Sequence, residues 1–218
     1  MRKTTVMIFM VTLVVVMTSG VSFAKSIFKS IGDEDIEAVQ KFVENGGDVN
    51  KRGSNGLTPL MSAVCEKEAN IKIVNILVNA GADVNATDTL NTPILLTAVF
   101  RDRTDIVQTL VDSKVNIDVE DAFGTPVLSV AIYKGRTEIV QILIDAGADV
   151  NIEDAFGTPA ILSAIHEGQT KIVSILIDAG VDINANLFMG MTALDFALLS
   201  KHKERDNIIK ILKENGAK

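Results

Sequence analysis

Glu120-Asp-Ala-Phe-Gly-Thr-Pro126 recurs without change as Glu153-Asp-Ala-Phe-Gly-Thr-Pro159. The shorter element Thr-Pro extends the pattern at nearly the same step, at Thr58-Pro59, Thr92-Pro93, Thr125-Pro126 and Thr158-Pro159, with Thr192-Ala193 one step further on. A second landmark keeps the same period: Gly46-Gly-Asp-Val-Asn50, Gly81-Ala-Asp-Val-Asn85, Gly147-Ala-Asp-Val-Asn151 and Gly180-Val-Asp-Ile-Asn184. A third is the Ile-Val doublet beginning at Ile73, Ile106, Ile139 and Ile172. Self-similarity at a fixed period of about 33 residues is the signature of a stacked-repeat architecture.

Each landmark has a mechanical reading. Thr before Pro reads as a helix start, because the hydroxyl can accept from a free backbone N–H and Pro at the first helical position sacrifices no bond. A short first helix is expected from Pro126 to Lys134, ended by Gly135 in a left-handed conformation. A second is expected from about Thr137 to Ala146, ended by Gly147. Its Ile139, Val140, Ile142, Leu143 and Ile144 are too apolar for one exposed face, so neighbours must cover the helix from both sides. Two short helices and a turn cannot bury such surface alone, whereas stacked copies can.

These residues resemble the ankyrin-repeat family: Gly-x-Thr-Pro-Leu opening a first helix, Ile-Val-x-x-Leu in the second, and Gly-Ala-Asp-Val-Asn after it. The resemblance covers roughly residues 30–218. It implies an all-α solenoid of about five to six repeats including caps, near 26–50, 51–85, 86–118, 119–151, 152–184 and 185–218. The final helix, Asn207 to Lys213, is flanked by charged residues and reads as a water-facing cap. The sequence also departs from the family pattern. In three middle repeats Thr-Pro directly follows Asn91, Gly124 or Gly157, so those first helices are expected to begin one residue sooner. The family's usual His is replaced by Met61, Leu96, Ser129, Leu162 and Asp195, and its hydrogen bonds to the turn need another source. Two extra residues near 66–70 predict a longer loop. Asn91, Asp102 and Lys114 stand where Gly is expected, which makes the third repeat the softest, because a side chain in left-handed backbone costs about 1 kcal/mol.

Residues 1–24 differ in kind. Arg2 and Lys3 precede an apolar run from Val6 to Met17, and Ser22-Phe23-Ala24 follows. Charge, a short apolar segment and small residues before a cut read as a secretory signal, with residues 25–218 as the mature repeat domain. The run is shorter than the roughly 20 residues a spanning helix needs, so no membrane span is expected after cleavage. Removing Arg2 and Lys3 from 21 basic residues, against 28 acidic ones, takes the net charge from −7 to −9. No Lys/Arg run is long enough to follow a phosphate backbone, which argues against nucleic acid. Cys65 is the single cysteine, so packing alone must stabilise an exported monomer.

No constellation for catalysis, metal or cofactor is found. His166 has no second ligand at metal spacing, and no His lies near Cys65 in sequence. Asp83, Asp149 and Asp182 are expected to bond their own turns rather than calcium. Asn85-Ala-Thr87 matches a glycosylation acceptor, a short pattern that recurs by chance. The family resemblance implies a protein partner bound along turn tips and first helices. By register, the tips are Leu90, Phe123, Phe156 and Met189, beside Phe188. Their first-helix neighbours are Phe100, Arg101, Tyr133, Lys134 and His166, followed by Glu167. An aromatic tip either packs on the adjacent turn or anchors a partner, and aromatics beside Arg and Lys have the composition of interface anchors. The expected function is a non-catalytic interaction scaffold outside the cytoplasm, in the periplasm or secreted. Two other roles share these features: an effector engaging a host protein, and a regulator of one periplasmic enzyme.

Overall fold

The structure, a computed structural model, describes residues 27–185, 187 and 190–218. The secretory-signal reading of residues 1–24 lies outside them, as do Phe188 and Met189. The chain divides into two compact units, one ending at Leu90 and the other running from Asn91 to Lys218. The first holds a helical stretch 27–32 (α1), α2 (Ile36–Glu44), α3 (Pro59–Cys65) and α4 (Ile71–Asn79). The second holds α5 (Ile94–Phe100), α6 (Thr104–Asp112), α7 (Val127–Tyr133), α8 (Thr137–Asp145), α9 (Ala160–His166), α10 (Thr170–Asp178), α11 (Ala193–Leu199) and α12 (Arg205–Glu214).

In the second unit helices pair within each repeat and stack between repeats. First helices pack in the order α5, α7, α9, α11, and second helices in the order α6, α8, α10, α12. The sequence dictates this sandwich. Along α7, Val127 to Ile132 are all buried and only Tyr133 emerges. The second helices bury the Ile-Val doublet and the Leu that follows one turn on: Ile106, Val107 and Leu110 in α6, Ile139, Val140 and Leu143 in α8, Ile172, Val173 and Leu176 in α10. Each such side chain contributes about 1.5–3 kcal/mol by leaving water. Ile142 and Ile144 are half-buried, so the remaining apolar positions of α8 are partly covered too. In α12 only Ile208 and Leu212 are buried, while Asp206, Lys210, Lys213 and Glu214 face solvent as a cap should.

The helix starts correct one expectation. Thr58 does cap α3, its hydroxyl accepting from the Met61 N–H at 3.2 Å with Pro59 at the first helical position. Thr192 caps α11 in a reciprocal box with Asp195. In the three middle repeats, however, the helices do not begin sooner. Pro93, Pro126 and Pro159 are themselves the capping residues, in extended backbone and without a side-chain cap. The helix phase is set by the buried residues packed against neighbours, and Thr-Pro slides out by one into the turn.

Other departures are as expected. Three residues join α5 to α6, α7 to α8 and α9 to α10, whereas Glu66 to Asn70, five residues, join α3 to α4. Asn91, Asp102 and Lys114 all take left-handed backbone, with φ of 61°, 58° and 64°. Asp102 recovers part of the strain: its Oδ2 lies 2.7 Å from Arg136 Nη1. Cys65, at the end of α3, is half-buried.

Candidate functional site

The two identical heptapeptides become two identical tips. Asp121 Oδ1 accepts from the N–H groups of Phe123 and Thr125 at 2.8 and 2.9 Å, and the Asp121 N–H donates to the Thr125 carbonyl at 2.9 Å. Asp154 repeats the arrangement with Phe156 and Thr158 at 2.8 and 2.9 Å. Gly124 and Gly157 turn the chain with φ of 82° and 74°. An isolated antiparallel bridge closes each tip, Glu120 with Pro126 and Glu153 with Pro159. These carboxylates are the source of turn hydrogen bonds where the family's His is missing. Ser129, in that His position, is buried and its hydroxyl has no partner.

With the turn satisfied by Asp, the tip aromatic has no structural duty. Phe123 is 84% exposed and Phe156 89%. Neither ring is covered by the adjacent turn. In the first compact unit, Leu90 donates its N–H to Asp88 Oδ1 at 2.8 Å and is 80% exposed.

A second row occupies the last position of each first helix in the second unit: Phe100, Tyr133, His166 and Leu199. All four are exposed, Tyr133 at 67% and Leu199 at 70%. Arg101 follows Phe100 as the exposed C-cap of α5. Lys134 follows Tyr133 and places its Nζ 4.6 Å from the centre of the Phe100 ring, a cation–π contact one repeat back. Leu199 was not among the residues singled out from sequence, although the repeat register points to it once His166 is chosen.

Between these rows run two grooves. One of about 300 Å³ is lined by Tyr133, Leu162, Ser163, His166 and Phe196, with Asp154, Thr158 and Glu167 on its sides. A second of about 520 Å³ shares His166 and Phe196 and adds Met191, Leu199, Ser200, Lys201 and His202. Phe196, in the wall of both, is the main residue that sequence reasoning missed. Its register equivalents are Ser163, Val130 and Thr97, so no periodic aromatic marks it.

His166 and His202 line the same groove, but among the described residues no three His, Cys, Asp or Glu side chains form a metal-holding group. His202 Nδ1 accepts from the Glu204 N–H at 3.2 Å, and its ring lies against Gly168. The Asp of each Asp-x-Asn motif bonds its own turn: Asp83, Asp149 and Asp182 accept from the N–H groups of Asn85, Asn151 and Asn184 at 2.8, 2.8 and 3.0 Å. Asp195 is held below the usual carboxylate range by backbone and hydroxyl hydrogen bonds from Thr192, which serve the helix cap. No described helix is long and apolar enough to cross a membrane.

The fold and its tips define a protein built of stacked helix pairs. The family profile described as ankyrin repeats (3 copies) matches three overlapping windows, residues 27–122, 67–154 and 128–218. The chain belongs to the ankyrin-repeat family. The crystal structure of an ankyrin repeat domain from Acinetobacter baumannii AYE superposes with a TM-score of 0.76 at 28% identity, over 88% of this chain and 98% of that one. No curated protein matches the chain. Ankyrin repeats generally mediate protein–protein interaction, and the chain carries that class of scaffold.

Proposed function

We propose that this chain is a non-catalytic scaffold that works outside the cytoplasm as a monomer and binds a protein partner through its turn tips and first-helix ends. The observation that carries the reading is the exposure of Phe123 and Phe156 on turns that Asp121 and Asp154 already satisfy. A large aromatic side chain left in water gains only when another surface covers it, and aromatic anchors with few χ angles cost little entropy to immobilise. Tyr133, Phe100 with its bound Lys134, Arg101 and His166 extend the surface. The compartment rests on Arg2, Lys3, the apolar run to Met17 and Ser22-Phe23-Ala24.

The test is a pull-down from envelope extract with the mature chain beside the Phe123→Ser/Phe156→Ser variant, read by mass spectrometry. Both positions are exposed, so the variant should keep its helical circular dichroism. A stoichiometric protein retained by the wild type and lost by the variant is the expected result. If that protein is a single enzyme, the role is enzyme regulation. Equal recovery by both would remove the tips from the binding surface. Retention from host extract alone would assign the chain as an effector.

A further inference from the structure

The groove beside Tyr133 combines apolar walls with carboxylates that have no ion-pair partner among the described residues. Tyr133, Leu162 and Phe196 supply the walls from α7, α9 and α11, and Asp154 and Glu167 stand at its sides, with His166 the one imidazole. Among the described residues, neither Asp154 nor Glu167 has an ion-pair partner, nor do Glu120, Asp121 and Glu153 at the adjoining tips. Two nearby cations are engaged within the chain: Lys134 sits over the Phe100 ring and Arg136 reaches Asp102. Arg101, also exposed, lies at the end of α5 and does not line the groove. The whole chain is acidic, at −7, so its long-range field favours the approach of basic segments.

Building on the scaffold reading, we propose that this groove docks a partner segment in which a large apolar side chain is directly flanked by Lys or Arg. The apolar side chain enters between Tyr133, Leu162 and Phe196, and the cation meets Glu167 and the outer oxygen of Asp154. Asp154 Oδ1 is held by the Phe156 and Thr158 amides, which fixes the orientation of the carboxylate before any ligand arrives. Docking therefore has a preorganised acceptor at the side of the groove.

The protein carries its own probe, since Tyr133 is its single Tyr and it has no Trp. Tyrosine emission of the purified protein is titrated with three blocked hexapeptides: Gly-Leu-Lys-Phe-Arg-Gly, the same with Glu at both basic positions, and Gly-Ala-Lys-Ala-Arg-Gly. The first should give a saturable change that weakens with salt, and the other two should not. Glu167→Lys reverses an exposed charge with little risk to folding and should weaken the first peptide about fivefold, the scale of an exposed ion pair. Equal response to the Glu peptide, or indifference to Glu167→Lys, would overturn the charge assignment. No saturable response to any peptide would overturn the groove as the docking site, while the pull-down with the Phe123/Phe156 variant decides the scaffold reading separately.

Discussion

Lys114 offers a direct measure of what a missing glycine costs this architecture. It holds φ of 64° at the turn that Gly147 and Gly180 fill in the next two repeats, with φ of 98° and 91°. A left-handed conformation costs an L-residue roughly 1–2 kcal/mol. Glycine gives back about 0.5–1 kcal/mol of that through the extra freedom of its unfolded chain. Lys114→Gly should therefore stabilise by about 0.5–1 kcal/mol, which for a chain of this size is a rise in Tm of about 2 °C. The reciprocal Gly147→Lys should cost about 1 kcal/mol from strain alone, since nothing lies within 4 Å of a Cβ built there. Asp102→Gly supplies the control: it relieves similar strain but loses the partly exposed contact with Arg136, about 0–1 kcal/mol, so its net effect should be near zero. Repeat proteins unfold by parts, so the decisive assay is amide exchange followed beside thermal unfolding. Amides of Ile106 to Leu110 should exchange faster than those of Ile139 to Leu143, and Lys114→Gly should slow the former about two- to fivefold. If Lys114→Gly left exchange unchanged or lowered Tm, or if α6 were the slowest-exchanging second helix, the strain argument would be refuted.

Gly168→Ala should be more damaging than Gly147→Ala, by about 2 against 1 kcal/mol in urea unfolding, because its added methyl meets the His202 ring and breaks the contact with the Glu204 amide. Equal losses would mean that the ring moves aside freely. Asp121→Ala removes the acceptor of two tip amides and should cost about 1 kcal/mol, with faster exchange at Phe123 and Thr125 as the local readout. The Asp195 carboxyl should titrate below an ordinary Asp in carbon-detected NMR. Its folded pKa being depressed, the cap of α11 is at full strength above the unfolded value and is lost as pH falls through the folded one; Asp195→Asn should abolish that acid sensitivity.

Much of this architecture was legible in the sequence because a period constrains every residue at once. Three landmarks sharing one step locate the helices, the buried Ile-Val-Leu triads and the left-handed turns, even where Asn, Asp or Lys replaces Gly. The Thr-Pro reading failed in the middle repeats for an identifiable reason. Capping preference is a local term of about 1 kcal/mol, whereas shifting a helix by one residue would rotate a fully buried segment such as Val127–Ile132 out of register. Packing wins, and the cap moves. The positions of the tips followed from register, but their exposure was left open between packing on the next turn and standing free, and the grooves were hidden because they depend on single side chains such as Phe196 that break the repeat. The Lys134 contact with Phe100 was equally hidden: its partners stand one position further apart than the period, and only the stacking geometry sets that diagonal.

The self-contained tip has a consequence for how such a protein can change. Because Asp121 and Asp154 close their turns through the same bonds to residues within the same heptapeptide, excising the stretch from one copy to the next would rejoin a turn already complete. A duplication at the same seam would do likewise. Inheritance can thus lengthen or shorten the proposed recognition surface by whole rungs, each arriving with its own aromatic, while the joint itself needs no new residue to hold it.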